Sequence, residues 1–427
     1  PNYTGVDKLV YKLAIMLNDK NSANSAKYFN ILQYRYPDSN YSILLNIING
    51  NKFFENKNYT KAIFYYEKFL NSNIEESRGV AYYNIIKSYF YLKEYNKVIG
   101  IIRNIKIPPL DENQWREIPF IHARSLYLTS KFEEVYSILK WEDIKLFNDE
   151  DAKMLIDSTI KIGDIEAAAG FINKLKERDT LYNEQLFILA NYYKSVKNYN
   201  KAEDVYNSIL ISGSSEKLKE SIKIELALIK IEIGDFNLSL NYLNQVESDE
   251  YMPERDSLII LNQFYIGKEK DAAEITDDRL SFILKNRFTE KVLLLNIAFH
   301  FKNKNVKAFT KYAGLLKSYR NNENYVNYLS GKLFYETGDY KKSYNYFYKL
   351  SLKENEYTVE TNYFLGRLSL LYNKNKNSAL KYFLKVLELD SKSDYSYKSK
   401  IELAIVYYEM KNHDVAYNYL NEIIKDD

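Results

Sequence analysis

One break in the chain recurs at nearly constant spacing. The first aromatic or apolar residue after a short polar interruption falls at Tyr59, Tyr95, Phe132, Ile165, Tyr199 and Phe236, and again at Tyr340 and His413. Neighbours among the first six lie 33 to 37 residues apart, and the two wider gaps are close to multiples of that step. A unit of about 34 residues cannot bury its apolar face alone, so it must stack on copies of itself. No other feature narrows the possible folds as much.

Each unit repeats the same grammar around its marker. Three residues on stands a small or β-branched side chain: Ala62, Val98, Val135, Ala168, Ala202, Ser239, Ser343 and Ala416. Four further on comes a large one: Tyr66, Ile102, Leu139, Ile172, Tyr206, Leu243, Phe347 and Leu420. Six before the marker are Phe53, Tyr89, Leu126, Tyr193, Phe334 and Tyr407. Offsets of three, four and seven share one helical face, so a unit is two amphipathic helices joined by a turn. Residues 328–350 show it most cleanly. Gly331, Phe334, Tyr340, Ser343 and Phe347 sit where the two helices approach or fill the gap between them. Gly338-Asp339 forms the turn, because Gly accepts the left-handed conformation that ends one helix and Asp can cap the next.

These residues resemble the tetratricopeptide repeat, and the resemblance covers nearly the whole chain. No unit carries the Trp that the family places early in its first helix, so the match lies in the recurrence. The resemblance implies an all-α fold: an α-solenoid of stacked antiparallel helix pairs wound into a right-handed superhelix. The spacing divides the chain into an N-terminal subarray of about seven units, 1–255, an irregular middle, 256–317, and a C-terminal subarray of about three units, 318–427. In the middle, the turns at 267–270 and 302–305 fall off register. Pro108-Pro109 lengthens a connector, and Pro119 is expected in the first turn of a helix over 115–128, where its missing N–H costs nothing.

Composition agrees with helices. Hydrophobic residues make up 46%, enough for a core, while 13 Gly and 6 Pro supply little strand-and-turn punctuation. With 60 Lys+Arg against 57 Asp+Glu, no general polyanion-binding surface is indicated. Helical-repeat RNA readers need a repeated basic track, which the alternating charges here do not form, so nucleic acid is not the expected partner. No stretch approaches the ~20 apolar residues of a membrane-spanning helix. Membrane association is therefore expected only through a removed signal or a lipid anchor.

Chemistry is hard to place on this chain. There is no cysteine, which removes disulfides, thiolate metal sites and a thiol nucleophile. His122, His300 and His413 stand on separate units and cannot converge. No phosphate-cradling Gly loop, HExxH or GxSxG element occurs. Asp149-Glu150-Asp151 and Asp277-Asp278 read as helix-start charges or solvated faces. The expectation is a non-enzyme without cofactor or metal.

In the family, the first helix of each unit lines an inner, concave groove. Positions twelve and five before the marker place a stripe there: Ile47/Phe54, Tyr83/Phe90, Phe120/Tyr127, Phe187/Lys194, Ile224/Ile231, Tyr328/Tyr335 and Ile401/Tyr408. Such a stripe either seals neighbouring first helices together or grips a partner, since Tyr and Phe make effective hot spots. Polar neighbours at Asn51, Lys87, Arg124, Asp157, Asn191 and Lys332 could orient that partner. The partner-binding set is thus Phe54, Tyr83, Lys87, Phe90, Phe120, Arg124, Tyr127, Asn191, Lys194, Tyr328, Lys332, Tyr335 and Tyr408. Family members that hold acidic chaperone tails use a clamp of basic and Asn residues; Asn51 and Asn84 fit, but Glu117 and Ile121 stand where basic residues belong.

The resemblance implies a protein–protein interaction scaffold in a multiprotein complex, with a bacterial cell-envelope or flagellar-motor machine as the expected setting. A soluble peptide-binding regulator or chaperone adapter is the alternative. A start at Pro1 rather than Met, the missing cysteine and a Lys/Asn/Ile/Tyr-rich, AT-biased composition lead to a periplasmic expectation, with cytoplasm as the alternative.

Overall fold

The local rules produce helices throughout. The computed structural model describes residues 5–19, 24–284, 286–319 and 322–426. Among these are 24 α-helices, one short 3-10 segment and no strand. Contacts divide the chain between Ser215 and Glu216 into two compact units.

The first unit contains six helix pairs: α1 (Val6–Asp19) with α2 (Ser25–Arg35), α3 (Asn40–Glu55) with α4 (Tyr59–Leu70), and α5 (Arg78–Tyr91) with α6 (Tyr95–Asn104). There follow α7 (Glu112–Leu128) with α8 (Phe132–Leu139), α9 (Asp149–Lys161) with α10 (Ile165–Asn173), and α11 (Asp179–Ser195) with α12 (Tyr199–Ile211). The second unit repeats the plan with α13 (Glu216–Glu232) and α14 (Phe236–Asn244), α15 (Met252–Tyr265) and α16 (Glu269–Ile283), and α17 (Thr289–Lys302) and α18 (Val306–Leu316). It ends with α19 (Glu323–Glu336) and α20 (Tyr340–Ser351), α21 (Thr358–Leu371) and α22 (Lys376–Leu389), and α23 (Asp394–Glu409) and α24 (His413–Asp426). Within each unit every helix packs on the next, which is the solenoid of antiparallel pairs that the resemblance implies. The second unit begins at α13, whereas the sequence rhythm loosens only at 256–317. That stretch is built as the pairs α15/α16 and α17/α18.

The turns explain why the pairs form. The chain takes a positive φ at Lys57, Gly163, Lys197, Gly234, Lys304, Gly338 and Lys374, one residue before an Asn or Asp. That next residue caps the second helix: Asn58, Asp164, Asn198, Asp235, Asn305, Asp339 and Asn375 each accept a hydrogen bond from the backbone N–H three residues on. Its own N–H closes the preceding helix, as Asn58 does on the Phe53 carbonyl (2.8 Å) and Asp235 on that of Lys230 (2.8 Å).

The markers land as the periodicity requires. Ala62, Val98, Val135, Ala168, Ala202, Ser239, Ser343 and Ala416 are all buried. Close approach at the crossing needs glycine in places: a Cβ on Gly331 would stand 2.8 Å from the Phe347 ring, and one on Gly366 would stand 2.5 Å from Phe383. Ser343 donates to the Gly331 carbonyl across the same crossing (2.8 Å). One expectation fails. Pro119 lies well inside α7 rather than in its first turn. The helix starts earlier because Asp111 caps it, accepting from the Gln114 N–H (2.9 Å), so Pro119 removes the donor that would have met the Trp115 carbonyl.

Candidate functional site

The thirteen residues singled out above all lie on first helices, the odd-numbered ones. Within the first unit successive odd helices touch from α1 to α11, and within the second α13 meets α15, α15 meets α17, and α21 meets α23. The odd helices therefore form a row in each unit. Of the set, Tyr83 is buried, Tyr408 is 65% exposed, and the rest are half-buried. Half-burial is decided by what their neighbours on the next helix supply.

In the first unit those neighbours are mostly polar and opposite in charge. Asn84 donates to Asn51 (3.2 Å) and to the Tyr66 hydroxyl (3.1 Å), which itself donates to Asn51 (2.8 Å). On the next step Tyr83 donates to Glu117, and Lys87 reaches both Glu117 (3.1 Å) and the Tyr83 hydroxyl (3.1 Å). Burial, followed by the bond to Glu117, pushes the Tyr83 phenol up from its ordinary value. Arg124 then forks onto Asp151 through two bonds of 2.7 Å, which holds the guanidinium still more firmly protonated. Tyr127 donates to Asp157 (2.7 Å), which also pairs with Lys161 (2.7 Å). The Lys161 ammonium stands over Phe132 at 4.4 Å and Tyr127 at 5.2 Å. Phe54 packs on Tyr59 (5.5 Å) and Tyr91 (6.0 Å), Phe90 on Tyr95 (5.7 Å), and Phe120 on Phe147 (5.0 Å). Asn191 accepts from Tyr206 (2.7 Å), with Lys194 half-exposed on the same helix.

In the second unit the named residues Tyr328, Lys332 and Tyr335 meet rings. Tyr328 stacks face to face on Tyr357 at 4.3 Å, and burial raises its phenol pKa well above the ordinary range. Lys332 stands over Tyr328 (5.4 Å) and Phe301 (5.9 Å). Tyr335 sets its edge on Phe364 (5.1 Å), which stacks on Phe347 (4.9 Å), while Tyr395 meets Tyr363 at 5.3 Å. Arg367 pairs with Glu402 on the following first helix. Tyr408, on α23, meets the edge of the His413 ring (5.2 Å).

Much of the stripe is thus engaged between neighbouring first helices, while its half-exposed edges remain open along the row. Sequence reasoning named Tyr83, Arg124, Tyr328 and Tyr335 but not what meets them: Glu117 was read only against a basic clamp, Asp151 as a helix-start charge or solvated face, and Tyr357 and Phe364 were missed. Asp151 carried a signal, standing at the same place in its helix as buried apolar residues do elsewhere. Among the described residues, no group of three or more His, Cys, Asp or Glu could hold a metal ion, and no helix is long and apolar enough to cross a membrane.

Comparison with known proteins supplies a like-named relative. No protein-family model matches the chain. A TPR repeat-containing protein of Methanocaldococcus jannaschii is 22% identical over 406 residues, spanning 87% of this chain and 67% of that one. The Naa15/Naa10 structure bound to HypK-THB is 14% identical at a TM-score of 0.39; the chain covers 64% of that chain, less than two thirds of its length, and 90% of itself. A tetratricopeptide repeat protein from Parabacteroides merdae is 16% identical at a TM-score of 0.35, covering 59% of this chain and 96% of that one. The fold rests on the helix pairs themselves, not on these structural likenesses.

Proposed function

We propose that this chain, a long and degenerate tetratricopeptide-repeat array, is a non-enzymatic scaffold that holds other proteins along its rows of first helices. The observation that supports the reading is the state of those rows. Tyr328, Lys332 and Tyr335 are fixed by stacking and cation–π contact yet remain half-exposed. Rigid aromatic side chains with one open edge lose little entropy on binding, so they are efficient contact residues. Their spacing suits a helix or an extended peptide laid along the row.

Assembly of a bacterial cell-envelope machine is the setting we favour, supported by the absence of cysteine, which leaves no stray thiol to oxidise outside the cytoplasm. Finding the native protein wholly in the cytosolic fraction would overturn that setting without touching the scaffold reading. The scaffold itself is tested by affinity recovery from the native host, comparing wild type with Lys332→Glu/Tyr335→Ala and with Phe90→Ala. Loss of a stoichiometric multiprotein complex, at unchanged helicity, is expected. Unchanged recovery from all variants would remove the rows from consideration, and recovery of one short peptide motif would favour a peptide-binding regulator.

A further inference from the structure

Two positions of the repeat change character in the pair α3/α4. Ten residues before the marker, α5, α9, α11, α13 and α23 bury Ile85, Leu155, Leu189, Leu226 and Leu403. In α3 that position is Asn49, half-buried. His122 and Ser330 hold it in α7 and α19, where Ser330 bonds to the Val326 carbonyl of its own helix (2.6 Å). Five residues after the marker, other second helices carry Gly100, Ser137, Gly170, Asp204, Asn241 and Asn345. In α4 the residue there is Phe64, 60% exposed. An amide in a leucine's place and a bare ring in a small residue's place both break the local rule, and rules broken in this way mark functional positions.

The two departures meet in one place. α2, α3 and α4 surround an open cavity of about 490 Å³, lined among others by Gln33, Asn46, Asn49, Phe64, Tyr65 and Asn71. Asn46 donates to the Ile43 carbonyl (3.0 Å), which leaves its own oxygen without a donor. The side chains of Gln33, Asn49 and Asn71 make no hydrogen bond among the described residues. Phe64 is set edge-on to Tyr65 (5.3 Å), which stacks on Phe53 (5.4 Å). The volume falls in the range of small-molecule sites, ~300–1,000 Å³. One step along, the groove formed by α4, α5 and α6 is lined by Tyr82, Ile85 and Tyr89 instead. The architecture itself therefore does not call for the amides.

We propose that this cavity binds a neutral saccharide. An amide offers donors and an acceptor in one plane, and neighbouring ring hydroxyls both donate and accept, so the two match. The C–H face of a sugar ring gives Phe64 an apolar surface to lie against. An apolar ligand would leave the amides unpaired, at a cost. An anion would find one cation, Lys68, among the lining residues. A peptide backbone needs its partners in line, whereas these come from three sides: Gln33 on α2, Asn46 and Asn49 on α3, and Asn71 at the end of α4. None of the thirteen residues on the first-helix rows lines the cavity, so the site is independent of any partner held there.

Isothermal titration calorimetry with glucose, maltotriose, N-acetylglucosamine and triacetylchitotriose tests this. In each pair the monosaccharide stands for a free sugar and the trisaccharide for a stretch of polysaccharide. At least one is expected to bind with a Kd of about 1 mM or tighter. Phe64→Ala, at an exposed position, is expected to weaken that binding about tenfold. Asn49→Leu restores the residue that other units bury, and is expected to abolish binding while the urea midpoint stays unchanged or rises. A wild type that binds none of the sugars overturns the proposal. So does binding that survives both substitutions, which would put the sugar elsewhere. Binding of trialanine in preference to every sugar, lost in the same variants, would make the cavity a peptide site and overturn it too.

Discussion

Gly331→Ala should destabilise the second unit, while Gly314→Ala, in a neighbouring pair, should stabilise it. Both glycines lie within helices, α19 and α18. In isolation the change to alanine favours a helix interior by about 1 kcal/mol. At Gly314 a new Cβ meets nothing within 4 Å, so that gain is expected in full. At Gly331 it would sit 2.8 to 2.9 Å from three atoms of the Phe347 ring. Carbon contacts normally rest at about 3.5–4.0 Å, so the ring must retreat by most of an ångström. It has nowhere to go: Phe347 is fully buried, stacked on Phe364 at 4.9 Å and met edge-on by Tyr328. Overpacking of this kind costs about 1–3 kcal/mol, which leaves a net loss of up to about 2 kcal/mol after the helical gain. A repeat array need not unfold in one step, so amide hydrogen exchange in α19 and α20 is the sharper readout. Exchange there should accelerate in Gly331→Ala, exchange in α18 should slow in Gly314→Ala, and Phe347→Leu should restore part of the loss in the former. A Gly331→Ala protein as protected as wild type would refute the close-approach argument.

Other perturbations act through charge and backbone. Arg124→Gln leaves Asp151 buried without its cation and should cost about 3 kcal/mol by urea denaturation; Asp151→Asn added to it should recover much of that loss, giving a large coupling energy. His300 is buried against Tyr312 (5.4 Å, 5° between rings), neither ring nitrogen has a hydrogen-bond partner among the described residues, and burial holds its pKa below the ordinary 6.5. The unfolded chain therefore takes up the proton first as pH falls, so this contribution to stability is complete above 6.5 and is lost between there and the folded pKa. His300→Phe should flatten the fall in urea midpoint between about pH 7 and pH 5. Lys197 holds a left-handed φ of 60°, so Lys197→Gly should raise stability by about 0.5–1 kcal/mol, seen as a higher midpoint.

Most of the fold could be read from local pattern. The buried small residues from Ala62 to Ala416 and the capped turns follow from spacing within a single unit. Reading weakened where a unit fills the usual places with other chemistry. Phe309 stands where a small residue is usual, and Asn262, Asn296 and His300 lie buried in α15 and α17. Asn262 is accepted there because it donates to Ser239 (3.1 Å), and Asn296 because it donates to Thr276 (3.0 Å). Those bonds join helices about twenty residues apart, which no hydrophobic periodicity registers. Turns were harder to see for a related reason: Lys57, Lys197, Lys304 and Lys374 take the conformation for which glycine is the usual signal.

The row of first helices divides in the same way. Periodicity placed Tyr83, Arg124, Tyr328 and Tyr335 on one face, because a helical face is a property of residues three and four apart. Only packing decided that Tyr83 meets Glu117, that Arg124 meets Asp151, and that Tyr328 stacks on Tyr357. These partners lie about thirty residues away, and their meeting depends on how one pair is set against the next. The sequence by itself determined the repeat, the helix pair and the shared face of each first helix. Tertiary structure decided which side chains the neighbouring repeat engages, since burial is set by neighbours that local spacing does not supply.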